Sequence, residues 1–341
     1  MAAINTDLAS RAHRARGWNP KTSQILLARI AGSEQEKDLT APPNCGGLGR
    51  IRHFRRATQE GWPPNPLPID PATKALGLPR TDELNAQVFQ NAACNWRCWY
   101  CYVPFELLSA KEHLGEWVTA DEMVDLFLSE ANHPHVLDLT GGQPDLVPEW
   151  IPRTMEALLD RDAENSVFLW SDDNLSNDYF WRYLSAADID LVSSYRNYAK
   201  VCCFKGFDAP SFAFNTGTDP EGFEAQFELF SRYLEINVDL YAYVTLTGTE
   251  MDRLSHRISG FIDRLQAVHS LLPLRTIPLE IRVFSTVVER VGARETDALG
   301  VQQLAIAAWT KEITRRFTAA ERALPITEVP LRTRRTIRDV G

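Results

Sequence analysis

The amino-acid sequence predicts an α/β protein: a partial (β/α)6 TIM-like barrel preceded by an N-terminal cover segment. From about residue 85, short apolar strand-like runs alternate six times with helix-like segments. This alternation is typical of a parallel sheet covered by helices. Eight such units close a standard barrel, so six predict an open one. Upstream, five prolines from residue 63 to residue 71 favour an extended connector over a helix or central strand, which places a boundary near residue 81.

The chain is therefore divided into a cover over residues 1–81, a barrel core over residues 82–320 and a basic C-terminal tail over residues 321–341. Within the cover, residues 21–31 are predicted to form a short helix, and the glycine-rich residues 44–49 a turn or loop. Residues 1–80 carry a net charge of +6 and the remainder −15. A basic run follows the loop and has two interpretations, a solvated surface face or an anion-binding arm: Arg50, Arg52, His53, Arg55 and Arg56.

Each barrel unit rests on an apolar run followed by a helix start. A capping box of Thr119 and Glu122 opens the first helix, and prolines 148 and 220 mark the entries to two others. Further helices are expected to begin at Ser176 and to span about 250–271 and 296–317. The six predicted strands begin or lie at 87–89, 136–139, 167–170, 201–204, 241–246 and 281–284.

Composition narrows the class of protein. With 341 residues, 44% hydrophobic and 24% charged, the chain is an ordinary globular sequence rather than a disordered or coiled-coil one. A net charge of −9 argues against a nucleic-acid partner. Apolar stretches such as residues 240–246 are too short to span a bilayer, and no secretory signal pattern is evident. We therefore expect a soluble cytoplasmic protein with reduced cysteines and no membrane partner.

The most informative residues are Cys94, Cys98 and Cys101, at spacing C-x3-C-x2-C directly after the first predicted barrel strand. Thiolates this close on one loop can converge on one metal centre, and soft sulfur ligands select iron–sulfur clusters, zinc or copper(I). A structural zinc site needs a fourth ligand at finger-like spacing, whereas His113 lies twelve residues on. Three cysteines without a local fourth ligand suit a cluster with one iron left open.

This loop, with Tyr100 before its last cysteine, resembles the signature of the radical S-adenosylmethionine (radical SAM) superfamily. A second segment, Gly141-Gly142-Gln143-Pro144 after the second strand, is similar to the family's Gly-Gly-Glu-Pro segment. Both motifs stand in the family's order and strand context. The subfamily is not identified by these motifs, although the stretch from Phe204 to Gly217 is faintly similar to the glycyl-radical activases.

The resemblance implies a set of cofactor contacts. Cys94, Cys98 and Cys101 would hold a [4Fe–4S] cluster, and the amino and carboxylate groups of SAM would chelate its open iron. An electron donor such as flavodoxin or ferredoxin would supply one electron, giving methionine and a 5′-deoxyadenosyl radical. Gln143 departs from the usual Glu, which makes a side-chain role there doubtful. The implied SAM-binding residues are Tyr100 at the adenine and Gly141, Gly142, Gln143 and Pro144 at the methionine ammonium.

Weaker candidates follow the third and fourth predicted strands. Ser171 and Asn174 would contact the SAM ribose or methionine, or else belong to a helix N-cap region. Lys205 would meet the SAM carboxylate. Strand alternation puts Cys203 on the same face as Lys205, so Cys203 is either a hydrogen-atom donor inside the barrel or a small core residue.

The predicted activity is reductive cleavage of SAM followed by hydrogen abstraction from a small polar metabolite, such as a sugar, nucleoside or amino acid derivative. One alternative is an activase that generates a glycyl radical on a partner protein. A second, from another class, is a non-catalytic module whose cysteine loop binds zinc.

Overall fold

A computed structural model of the chain describes residues 3–331. Strands and helices alternate along most of it, as expected for an α/β protein. The strands are β1 (Trp18–Asn19), β2 (Gln24–Ala28), β3 (Gly49–Arg55), β4 (Glu83–Phe89), β5 (Gly115–Val118), β6 (Val136–Leu139), β7 (Phe168–Asp173), β8 (Tyr198–Phe204), β9 (Leu240–Thr245) and β10 (Thr276–Leu279). The helices are α1 (Thr6–Gly17), α2 (Ile69–Leu76), α3 (Ala120–Ser129), α4 (Trp150–Leu159), α5 (Tyr179–Tyr183), α6 (Ala186–Ser194), α7 (Ala209–Thr216), α8 (Gly222–Glu235), α9 (Leu254–Val268), α10 (Ala293–Arg316) and α11 (Ala319–Arg322).

The main sheet has seven strands in the order β10-β9-β8-β7-β6-β4-β3. Neighbours from β4 to β10 pair in parallel, and β3 pairs with β4 antiparallel at one edge. The sheet is curled and open, consistent with the predicted partial TIM-like barrel. A second, three-stranded sheet has the order β1-β2-β5.

The two faces of the main sheet bury different cores. Helices cover the outer face, where Leu169, Cys202 and Phe204 pack with side chains of α3, α4, α8 and α9. On the inner face, residues of β6 to β9 pack against Leu67 and Ile69 from the proline-rich segment. That segment therefore fills the inner face near the middle of the strands, and the carboxyl ends of the strands remain open.

Several sequence predictions for the barrel are confirmed. The apolar runs of β6, β7, β8 and β9 form strands within a few residues of their predicted positions. The capping box of Thr119 and Glu122 opens α3, with both reciprocal hydrogen bonds present. The segment expected as one helix from Ser176 forms two short helices, α5 and α6.

Two local predictions are wrong. Residues 21–31 do not form a helix, because Gln24–Ala28 pairs on both sides as β2, with β1 and β5. The sixth barrel strand is Thr276–Leu279 rather than 281–284. Pro278 lies inside it, and a proline is tolerated there because β10, within residues 3–331, is an edge strand that pairs only with β9.

The predicted cover contributes β3 to the main sheet, so the basic run is a strand and not a uniform surface face. Arg55 is exposed, whereas Arg50 is buried. The basic tail residues Arg332, Arg334, Arg335 and Arg338 lie outside the described residues. Within residues 3–331, no helix has the length and apolar character needed to cross a membrane.

Candidate functional site

The carboxyl ends of the barrel strands open into a cavity of about 480 Å³, within the size range of small-molecule sites. It collects most of the residues singled out from the sequence. Some of these residues belong to the loop that follows β4 and carries Cys94, Cys98 and Cys101, which we call the cysteine loop. The others lie at the ends of β6, β7 and β8. The predicted site residues that line it are Cys94, Cys98, Tyr100, Cys101, Gly141, Gly142, Gln143, Asn174, Cys203 and Lys205.

Backbone hydrogen bonds to α7 hold the cysteine loop in place. The amide of Arg97 donates to the carbonyl of Thr216 at 3.1 Å, and that of Trp99 donates to the carbonyl of Asn215 at 3.2 Å. The Arg290 guanidinium donates to the carbonyl of Cys101 at 2.6 Å. These contacts fix the loop as a rigid support, which preorganises its three thiols.

The N-terminal helix also supports this loop, a role that the sequence did not indicate. Asn95 donates through Nδ2 to the Ser10 hydroxyl at 2.9 Å. The Trp96 indole N–H donates to the Thr6 hydroxyl at 3.0 Å. Both acceptors lie in α1, so residues of the predicted cover are part of the framework of the site.

The three thiols fit a bound iron–sulfur cluster in their chemistry. All six cysteines of the described chain are free. Burial raises the pKa of Cys98 to about 12, with Lys205 acting in the opposite direction, so thiolates need a bound cationic centre to form. No group of three or more His, Cys, Asp or Glu side chains within residues 3–331 is placed to hold a metal ion. In their chemistry, three thiolate donors are of the type that iron–sulfur clusters take.

The loop after β6, which carries Gly141 and Gly142, passes very close to the backbone just before Cys94. Gly141 and Gly142 have φ of +77° and +63°, and a Cβ on Gly142 would lie 2.4 Å from the carbonyl oxygens of Asn91 and Ala93. Only glycine allows this approach with a left-handed backbone. The Gln143 amide then donates to the Ala93 carbonyl at 2.7 Å, which joins the two loops.

The Gln143 side chain has a clear structural role, contrary to the expectation from the sequence. It is buried, donates to Asp173 Oδ1 at 2.7 Å and accepts from the Asn174 amide at 2.9 Å. A glutamate at this position would place a second carboxylate against Asp173. The neutral Gln143 amide therefore suits its hydrogen bonds at the end of β7.

Beneath this loop lies a buried charge cluster that sequence analysis missed. Lys200 Nζ is 2.8 Å from Asp145 Oδ1 and 3.8 Å from Asp173 Oδ2, and none of the three side chains is more than 2% exposed. The Tyr233 hydroxyl donates to the second oxygen of Asp145. Burial and the Asp145 carboxylate raise the pKa of Asp173 to about 7, and the Lys200 ammonium opposes this shift. The cluster fastens the loop to β8.

Cys203 near the end of β8 and Lys205, directly after that strand, both line the cavity. Burial lowers the pKa of Lys205. The side chains of Cys203, Tyr100, Cys98 and Cys94 raise it more, so the pKa lies well above its usual value. The Tyr100 hydroxyl is 3.0 Å from the Thr245 hydroxyl. Lys205 is thus a cation among the groups expected to hold SAM.

Two predicted site residues lie apart from the cavity lining. Ser171 is fully buried, and its hydroxyl is 2.8 Å from the Tyr198 hydroxyl. Alternation along β7 points Ser171 to the outer face and Asp172 into the cavity. Pro144 is buried at the start of a short 3₁₀ turn, where it shapes the backbone that follows Gln143.

A charged patch on β3, β6 and β7 completes the cavity and was not assembled from the sequence. Arg50, Arg52 and Asp172 line it, and Arg52 Nη1 lies 3.4 Å from Asp138 Oδ2. Burial and the neighbouring Asp172 carboxylate raise the pKa of Asp138 to about 8, against the effect of Arg52. The basic run alone does not indicate this patch, because the patch depends on the pairing of residues 49–55 with β4.

Comparisons with known proteins give limited similarity. No model of a known protein family matches the chain, and no curated protein is similar to it in sequence. Structures of Streptococcus suis SuiB are similar in part: that of SuiB bound to S-adenosylmethionine has a TM-score of 0.37 and 12% identity over 53% of this chain. That of SuiB bound to the precursor peptide SuiA has a TM-score of 0.36 and 13% identity. The chain spans 37% and 36% of the length of these two structures.

Proposed function

We propose that the chain is a radical SAM enzyme that binds one [4Fe–4S] cluster through Cys94, Cys98 and Cys101 and acts on a small polar metabolite. The observation that carries this proposal is a convergence in space. Thiols with C-x3-C-x2-C spacing and the backbone of Gly141 and Gly142 line the same cavity at the carboxyl ends of the strands. That edge is where α/β barrels build their active sites.

When bound, the cluster and SAM supply a 5′-deoxyadenosyl radical and methionine, after one electron arrives from a donor such as flavodoxin or ferredoxin. The chain's own residues bind and orient. The Lys205 ammonium would pair with the SAM carboxylate. The Oδ1 atom of Asn174 is buried without a hydrogen-bond partner in the described residues and would accept from a ribose hydroxyl. The Thr245 hydroxyl fixes Tyr100, whose backbone would meet the adenine.

Cys203 would act on the substrate side of the same cavity. Its side chain lines the cavity, and burial raises its pKa to about 11 while Lys205 opposes the shift. It is therefore a neutral thiol at pH 7, which is the form that can donate a hydrogen atom. Cys202 points to the outer-face core, so the neighbouring thiol has no such access.

Anaerobic reconstitution with iron and sulfide, followed by reduction with dithionite, tests the proposal. Wild-type protein should convert SAM to 5′-deoxyadenosine, and Cys98→Ala should reduce the yield by at least about a hundredfold. Cys45→Ala is the matched control, since Cys45 lies near Leu126 and Glu130, outside the cavity lining. Recovery of one zinc per chain, with no iron and no 5′-deoxyadenosine, would favour the zinc module instead.

A further inference from the structure

Arg50 is a buried cation that forms no direct ion pair within residues 3–331. Its side chain is 5% exposed and lines the cavity. Among residues 3–331 it forms no ion pair and donates no side-chain hydrogen bond, and its Nε atom is buried without a partner. Its guanidinium lies 5.0 Å from the centre of the Tyr102 ring. Arginine stays protonated in proteins, so a buried and unpaired guanidinium is costly unless a ligand supplies the anion.

The two nearby carboxylates, Asp138 and Asp172, act on Arg50 without pairing with it directly, and one oxygen of each is buried without a hydrogen-bond partner in the described residues. Asp138 is paired with Arg52 at 3.4 Å. Asp172 accepts a hydrogen bond from the Thr140 hydroxyl, and no described carboxylate lies within ion-pair distance of Arg50. The Tyr102 hydroxyl is also buried without a partner in the described chain. Two donors therefore face the cavity with no protein acceptor.

Arg50 and Lys205 line the same cavity but have different electrostatic neighbours. The charges that act on Lys205 are those of Cys203, Tyr100 and the cluster thiols. Those that act on Arg50 are Tyr102, Arg52, Asp138 and Asp172. A SAM carboxylate at Lys205 would therefore leave Arg50 free for a second anion.

We propose that Arg50 binds an oxyanion of the substrate, a carboxylate or a phosphate, with the Tyr102 hydroxyl as a second donor. A guanidinium matches either group in a two-pronged arrangement. The inference rests on the proposed function only in assigning this anion to the substrate of the enzyme. It narrows the substrate class from small polar metabolites to anionic ones.

Melting temperature tests the anion site without any catalytic readout. Reconstituted protein is heated in sodium phosphate, in sodium acetate and in sodium chloride of equal ionic strength. Phosphate, acetate or both should raise the wild-type Tm by about 2 °C or more relative to chloride, and the more effective anion identifies the group. Arg50→Met should remove this increase. Arg55→Met should keep it, since Arg55 is an exposed residue of the same strand.

A second signature separates binding from support of the fold. In chloride alone, Arg50→Met should melt at or above the wild-type Tm, because it removes a buried guanidinium that makes no direct ion pair or hydrogen bond in the described residues. A lower Tm in chloride, or an unchanged anion effect in Arg50→Met, would overturn the inference. Arg50→Gln provides the same test if the Met variant does not fold.

Competition with SAM settles which ligand the site serves. Saturating SAM should leave the anion-dependent increase of the wild-type Tm in place, whereas loss of that increase would assign Arg50 to SAM and overturn the inference. Anion binding without SAM cleavage would contradict only the radical SAM proposal. SAM cleavage without any anion effect would contradict only the Arg50 site.

Discussion

Replacing Lys200 with Met is expected to lower the free energy of unfolding by about 3–5 kcal/mol, the usual cost of removing one partner of a buried ion pair. Lys200 is fully buried, and its ammonium lies between the carboxylates of Asp145 and Asp173. Without it, two carboxylates remain in the interior with no cation. Urea unfolding monitored by circular dichroism measures the loss.

The loss of stability in Lys200→Met should change with pH in a defined direction. Burial holds the pKa of Asp173 at about 7, above the value of an unfolded chain. Stability from such a group is complete below its unfolded pKa and is lost as the pH rises through the folded pKa. The Lys200→Met defect should therefore be larger at pH 8 than at pH 5, since the Asp173 carboxylate must then carry charge in the interior.

Lys74→Met is the matched control for this experiment. Lys74 pairs with Glu328 on the surface, where both side chains are about half exposed, and such pairs contribute about 1 kcal/mol or less. A Lys200→Met variant no less stable than Lys74→Met would contradict the assigned role of the buried cluster.

Replacing Gly142 with Ala is expected to have the second large effect, a loss of about 2–5 kcal/mol. The residue has φ of +63°, and an added Cβ would lie 2.4 Å from two backbone oxygens of the cysteine loop. The left-handed conformation costs about 1–2 kcal/mol for alanine, and overpacking against rigid backbone adds about 1–3 kcal/mol. The two loops would have to separate, so SAM cleavage should fall with stability.

Gly77→Ala is the control that measures the conformational cost alone, so the difference between the two variants gives the steric cost at Gly142. Gly77 has φ of +65° but nothing within 4 Å of an added Cβ. It therefore pays the conformational cost alone. Equal losses in the two variants, measured by thermal unfolding, would mean that the close approach of the two loops is not tight.

The central strands and their inner face followed directly from the sequence. The apolar runs of β6 to β9 are buried on both sides, a pattern that is strong and local. Alternation along β8 and the residue after it placed Cys203 and Lys205 together on the cavity side, and Cys202 and Phe204 on the other. Motif order likewise placed the cysteine loop and the loop with Gly141 and Gly142 at one edge of the sheet.

Features that depend on non-local pairing could not be predicted. The run Gln24–Ala28 has no strong local preference, and its strand conformation depends on pairing with Gly115–Val118, about ninety residues away. Arg50 appeared as one member of a basic run, and only pairing of β3 with β4 turns it toward the cavity. The Lys200 cluster joins three separate chain segments, so no spacing in the sequence reveals it.

The proposed [4Fe–4S] cluster is tested most directly by the electron paramagnetic resonance spectrum of the reconstituted, reduced protein, recorded with and without SAM. The expected result is the signal of a reduced [4Fe–4S] cluster that changes when SAM is added, because SAM would bind the iron that lacks a cysteine ligand. Cys45→Ala should give the same spectra. A cluster signal that SAM leaves unchanged, or a chain that retains stoichiometric zinc and no iron, would contradict the assignment.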